Sequence, residues 1–111
     1  MVGSIYFIMM PYSDFRELKG RPVLAFKELD KDDLLILPLT TNLNRDGVVI
    51  TKDDLKKGSL KKESVVIVPK LTAIDKSLIE EDNFIARLKT KSFRKIHTKL
   101  CLDFECSETL N

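Results

Sequence analysis

The chain has 111 residues, 43% of them apolar and 32% charged, the composition of one soluble globular domain rather than a disordered or fibrous protein. Nineteen Lys and Arg against 17 Asp and Glu leave a net charge of +2, which argues against a strongly basic nucleic-acid coat while leaving room for a local basic face. One His and two Cys, Cys101 and Cys106, cannot fill a four-ligand zinc site, so neither a metal nor another cofactor is expected and the thiols read as reduced.

In chain order, SIYFIMM (4–10) is β-branched, aromatic and apolar, and stops at Pro11: a strand. The run is too short for a membrane span or secretory leader and has no basic segment before it, so a cytoplasmic protein with no membrane partner is expected. PYSDFRELKGRP (11–22) follows as a polar connection, longer than a hairpin needs. VLAFKEL and DLLILPLTT read as two strands around the turn-rich DKDD. NLNRDG is a loop in which Asp46-Gly47 favours a tight turn, and VVIT is a short strand. TKDDLKKGSL reads as one or two helical turns, with Thr51 as cap, Asp54 completing a capping box and Gly58 as terminator.

SVVIVPKL is the clearest strand, and DKSLIEED a short helix capped by Asp75. NFIARLK is a last strand. From Ser92 onward Phe93, Ile96, Leu100 and Phe104 fall at helical spacing, which predicts an amphipathic C-terminal helix that packs on something. Residues 87–99, RLKTKSFRKIHTK, carry six Lys or Arg and no acid. Five to seven strands with two or three helices predict one mainly β, α+β domain over residues 1–111, a small barrel with helices attached. A split sheet with helices on one face is the competing picture.

The usual catalytic sets are missing. With His97 as the only histidine, no Ser-His-Asp or paired-His arrangement has a second imidazole, and four glycines form no phosphate-binding loop. What remains are polar residues beside prolines at strand ends: Arg21 before Pro22, Thr40 and Thr41 after Pro38, and Lys70, Thr72 and Asp75 after Pro69. Pro22 stiffens the backbone and pushes Arg21 into an extended conformation at the start of its strand. Proline inside the LPLTT run implies an edge position or a bulge, and bulges often re-aim side chains. Each residue also has a plain structural explanation: surface cation, β-branched strand residue, helix cap or snorkelling lysine.

Taken together, GSIYFIMMPYSDF, KGRPVLAF, ILPLTT and SLKKESVVIVPKLTAIDKSLI resemble the MazF/PemK family of bacterial toxins, in order and spacing from about Gly3 to Leu78. The resemblance implies a compact SH3-like barrel, a homodimer, metal-independent cleavage of single-stranded RNA, and an antitoxin whose acidic tail fills the RNA groove. It carries catalytic roles onto Arg21, Thr40 and Asp75, and implies substrate contacts from Ser13, Asp14, Lys19, Thr41 and Lys70. Two positions depart from the family pattern. Its opening Asp is Ser4 here, and the arginine of its Arg-Thr-Ile-Asp motif falls on Thr72, with Lys70 as the nearest substitute cation. The rival readings are a non-catalytic inhibitor on the same barrel, like the gyrase-poisoning CcdB toxins, and a nucleic-acid-binding module without catalysis.

Overall fold

β2 (Leu18–Glu28) is the longest strand and lies between β1 (Ser4–Pro11) and β3 (Asp33–Thr40), antiparallel to both. The computed structural model describes residues 1–11 and 18–105. The remaining strands are β4 (Val48–Ile50), β5 (Leu55–Gly58), β6 (Ser64–Val66), β7 (Thr72–Asp75) and β8 (Phe84–Leu88), and helix α1 covers Thr90–Asp103. Every pairing is antiparallel. The sheet runs β4-β6-β3-β2-β1-β8-β5, with β7 also on β3, and curls into a half-barrel closed by the C-terminal helix. Among the described residues no helix is long and apolar enough to cross a membrane.

One edge of β3 is shared. β7 pairs with its first half (Asp33↔Asp75 to Ile36↔Thr72) and β6 with its end (Leu39↔Val66, Thr40↔Val65). Pro38 falls at the changeover, where its carbonyl accepts the Ile67 N–H at 2.9 Å. Its missing N–H therefore points into the gap between the two partners, where no ladder bond is lost. This fixes the alternation along β3: Leu37 and Leu39 turn their backbone groups toward β2. Leu24, opposite Leu37, and Pro22 two residues earlier turn theirs toward β3. The β2–β3 ladder ends at Val23↔Pro38, so Pro22 also costs no hydrogen bond.

Strand alternation divides the core in two. Ile5, Leu24, Leu37 and Val66 meet Ile96 and Leu100 of α1 on one side of the sheet. On the other, Tyr6, Ile8, Val23 and Ile36 are covered by Ile74, Ile79 and Phe84, from β7, the connection after it and the start of β8. α1 is amphipathic as predicted: Ile96 is fully buried, Phe93 packs on Phe26 at 5.5 Å between ring centroids, and the His97 ring stacks over Phe26 at 5.8 Å. Phe104 lies beyond the helix and is exposed, so the apolar stripe ends at Leu100.

Several elements differ from the sequence reading. Lys19 to Pro22 belong to β2 rather than to the connection before it, and Arg21 sits inside the strand, not at its start. TKDDLKKGSL forms a single 3₁₀ turn, Lys52–Asp54, followed by β5. Gly58 ends that strand rather than a helix, at φ +80°, where a Cβ would collide with the Ile85 carbonyl. SVVIVPKL keeps only three residues as strand before a 3₁₀ turn at Val68–Lys70, because the chain must leave β3 at Pro38 and return to it as β7. The strand β7 went unread in the sequence, since its four residues, TAID, show no continuous apolar pattern. Pro38 lies in a strand paired on both sides, not on an edge; the bulge in this pairing is at Ala25/Lys27.

The predicted capping box is present. Thr51 Oγ1 accepts the Asp53 N–H at 3.2 Å, and Asp54 Oδ2 accepts the Thr51 N–H at 2.8 Å. Asp54 also anchors the helix. Its Oδ1 accepts from Ser92 Oγ at 2.8 Å and its backbone carbonyl accepts the Lys89 N–H at 2.8 Å. Partial burial pushes the Asp54 carboxyl up, but the hydrogen bonds from Thr51 and Ser92 and the charges of Lys95 and Lys89 outweigh it, and the net shift is below the usual 3.8.

A depressed folded pKa means that this stabilisation is present above the unfolded value near 3.8 and is lost as pH falls through the lower folded value. Urea denaturation from pH 7 to pH 2 is expected to show Asp54→Asn less stable than wild type at neutral pH, with the gap closing below pH 4. Ile96→Ala, which opens a cavity under the helix, is expected to cost about 2–5 kcal/mol in the same experiment at pH 7.

Candidate functional site

The register that orders the sheet also brings polar residues together beyond the end of the β2–β3 ladder. Carried two residues past Val23↔Pro38, it sets Arg21 opposite Thr40, 19 residues away in sequence. Arg21 is held from the other side by pairing with Ile8 of β1. A depression of about 280 Å³ lies here, lined by Gly20, Arg21 and Pro22 of β2, Leu39 and Thr40 of β3, then Thr41, with Ser64 at the head of β6. Neighbouring residues of one strand project to opposite faces, so a hollow lined by three in a row wraps the end of the ladder rather than lying on one face.

Local chemistry explains the parts. Gly20 leaves room for the Phe7 ring, which lies where a Cβ would stand; a side chain there would displace the ring. Thr40 Oγ1 accepts the Asn42 N–H at 3.2 Å, turning the chain out of β3. This bond uses the hydroxyl as acceptor and leaves its O–H to donate elsewhere. Ser64 is buried, and its Oγ donates to the Lys62 carbonyl at 3.1 Å. One guanidinium and the hydroxyls of Thr40 and Thr41 thus share one hollow, an arrangement of donors suited to an anionic, oxygen-rich group, while the Ser64 proton is committed to Lys62.

The structure brings together some of the residues proposed from sequence and not others. Arg21, Thr40 and Thr41 share the depression; Lys19 is exposed on β2, one residue beyond Gly20. Ser13 and Asp14 lie outside the described residues, as does Cys106. Lys70 ends the 3₁₀ turn between β6 and β7, its carbonyl accepting from Thr72 Oγ1 at 2.8 Å, and it does not line the depression.

Asp75 stands well away from the depression. It pairs with Asp33, at the opposite end of β3 from Thr40 and seven residues along it, roughly 23 Å. Its Oδ1 accepts the Ser77 N–H at 2.8 Å, and the hydrogen bonds from Ser77 hold its carboxyl below the usual range. Within one chain Asp75 does not line the depression with Arg21 and Thr40; it caps the 3₁₀ turn Lys76–Leu78. Ser64 was the lining residue missed as a site residue, although it heads the Ser-Val strand on which the resemblance partly rested. His97, against Phe26 on α1, is not in the lining. Among the described residues, no three His, Cys, Asp or Glu side chains gather in a group able to hold a metal ion.

A strongly curled antiparallel half-barrel with a C-terminal helix has a counterpart among known proteins. The family of PemK-like, MazF-like toxins of type II toxin–antitoxin systems matches residues 1–104, and the chain belongs to it. An antitoxin is thereby its class of protein partner. Among solved structures, the Mycobacterium tuberculosis toxin MazF-mt6 shares the fold at a TM-score of 0.69. The match is 18% identical in sequence and covers 92% of this chain and 96% of that one. No curated protein matches the chain.

Asp75→Ala is expected to lower the melting temperature slightly through loss of the cap, while leaving any activity of the Arg21 depression within a few-fold of wild type. Thermal denaturation and an RNA-cleavage assay on the same preparation check both halves.

Proposed function

We propose that this toxin is an endoribonuclease that cleaves single-stranded RNA without a metal, by attack of a ribose 2′-hydroxyl on the adjacent phosphate. The observation that carries the reading is that Arg21 and Thr40, far apart in sequence, line one depression. The nucleophile is part of the substrate, so neither a metal-bound water nor an enzyme nucleophile is required. The protein must stabilise the extra negative charge of the phosphorane and assist two proton transfers.

Arg21 suits the first task. A guanidinium keeps its charge and donates two hydrogen bonds in a plane to phosphate oxygens. Its backbone is fixed by β1 on one side and by Pro22 next in sequence, so its position is set before substrate arrives. The Thr40 hydroxyl donates a further hydrogen bond to the same oxygens, and Thr41 and Lys19 lie where the flanking strand passes. The 2′-hydroxyl gives up its proton as the 2′-oxygen bonds to phosphorus, and the departing 5′-oxygen takes one, leaving a 2′,3′-cyclic phosphate and a 5′-hydroxyl. Asp14 is the carboxylate we assign to receive the first proton. The active species is a homodimer in the cytoplasm, silenced by its antitoxin.

Purified protein is expected to cleave single-stranded RNA in EDTA, and Arg21→Ala to reduce the rate by about 10²–10³ or more with circular dichroism and melting temperature unchanged. Cleavage at the wild-type rate by the folded variant would remove Arg21 from the mechanism.

A further inference from the structure

A second cavity, of about 320 Å³, lies at the β1–β8 seam and shares no lining residue with the Arg21 depression. Ser4, Tyr6, Lys57, Glu81, Phe84 and Arg87 line it. Ser4 is four residues from Ile8, the partner of Arg21, so the two hollows are separated by about 13 Å along β1.

At its centre is a hydrogen bond from an arginine to a buried serine. Arg87 Nη1 donates to Ser4 Oγ at 3.0 Å, across the pair Ser4↔Arg87. Tyr6, buried beside Ser4, lines the same cavity. Burial pushes the Tyr6 phenol up, and the Glu81 charge adds to this. Tyr6 is therefore neutral at physiological pH and acts as a donor.

Glu81 is the only acid in the lining, and it is exposed, at the rim of the cavity. Two cations remain. Arg87 is half-buried and directly bonded to a neutral hydroxyl; among the described residues no carboxylate forms an ion pair with it. Lys57 Nζ lies 5.7 Å from the centre of the Phe84 ring and likewise has no ion pair among the described residues. The cross-strand register sets Ser4 directly opposite Arg87. A carboxylate at position 4 would face Arg87 directly, whereas serine leaves a partly desolvated guanidinium with one neutral acceptor and spare donors.

We infer that the Ser4–Lys57–Arg87 cavity is a second anion site, which takes the phosphate group of a nucleotide. A phosphate supplies the charge that Ser4 withholds. Its oxygens accept the fork of Arg87 and the Lys57 ammonium, and the cavity volume leaves room for the attached sugar. The site stands independently of RNA cleavage, because its readout is binding. Free nucleotides and nucleotides within an RNA strand present the same group, and the test separates them.

The protein, together with Arg21→Ala to remove phosphate binding at the other hollow, is titrated with inorganic phosphate, with adenosine 5′-monophosphate and with a short uncleavable oligodeoxynucleotide. Backbone amide shifts are followed by NMR. Saturating shifts at Ser4, Phe84 and Arg87 are expected in both proteins. Equal response to the monophosphate and the oligomer assigns a free nucleotide; tighter response to the oligomer assigns a strand phosphate. Ser4→Asp, which sets a carboxylate against Arg87, is expected to weaken binding here by about tenfold or more while leaving shifts around Thr40 in place. Arg87→Met, which keeps much of the apolar stem, is expected to weaken it equally and decides the matter if Ser4→Asp fails to fold. The proposal is overturned by the absence of saturating shifts at the seam with all three probes, or by undiminished affinity in the folded variants.

Discussion

The antiparallel register of β2 between β1 and β3 is the constraint on which the rest of the molecule depends. It sets Ile8, Arg21 and Thr40 in one row across three strands, and it decides which side chains fall into each of the two cores. Because side chains alternate with a period of two, a slip of one residue in β2 would exchange Leu24 with Val23 and turn Arg21 to the opposite face. Burial of apolar residues on both sides of the sheet opposes any such slip. The candidate site thus inherits its geometry from the core, and nothing at the site has to hold Arg21 in register.

The prolines fit the same logic. A proline removes one ladder bond wherever its nitrogen points at a partner strand. Here Pro22 points beyond the end of a ladder and Pro38 into the gap between two partners, so the protein has rigid backbone beside its functional residues with no bond lost. The gap at Pro38 exists because β6 leaves β3 and returns as β7. That crossing carries Asp75 to the far end of the strand and Ser64 to the near one.

The charges follow two patterns. Asp54 works within the fold, tying the 3₁₀ turn to α1 through Ser92 and Lys89. Arg87 and Arg21 lie on either side of β1, one on β8 and one on β2, and each lines a cavity. A guanidinium against a hydroxyl rather than a carboxylate retains most of its capacity to bind an anion, and this distinguishes the β1–β8 seam from the Asp54 anchor.

Much of this was legible in the amino-acid sequence. The strands around residues 4–10, 23–28, 33–40, 48–50 and 84–88 and the helix from about residue 90 follow from β-branched runs, turn residues and a 3.6-residue apolar spacing, which are local properties. The Thr51–Asp54 capping box is equally local, and so is the Asp75 cap. The family, too, could be read from four motifs in order. Tertiary structure alone decided the strand pairing: that TAID is a strand, that Gly58 ends one, and that Thr40 rather than Asp75 stands beside Arg21. It also decided that Ser4 meets Arg87, 83 residues away. The physical reason is that backbone hydrogen bonds between strands join residues of any separation, and a sequence names its donors and acceptors without saying which of them will meet.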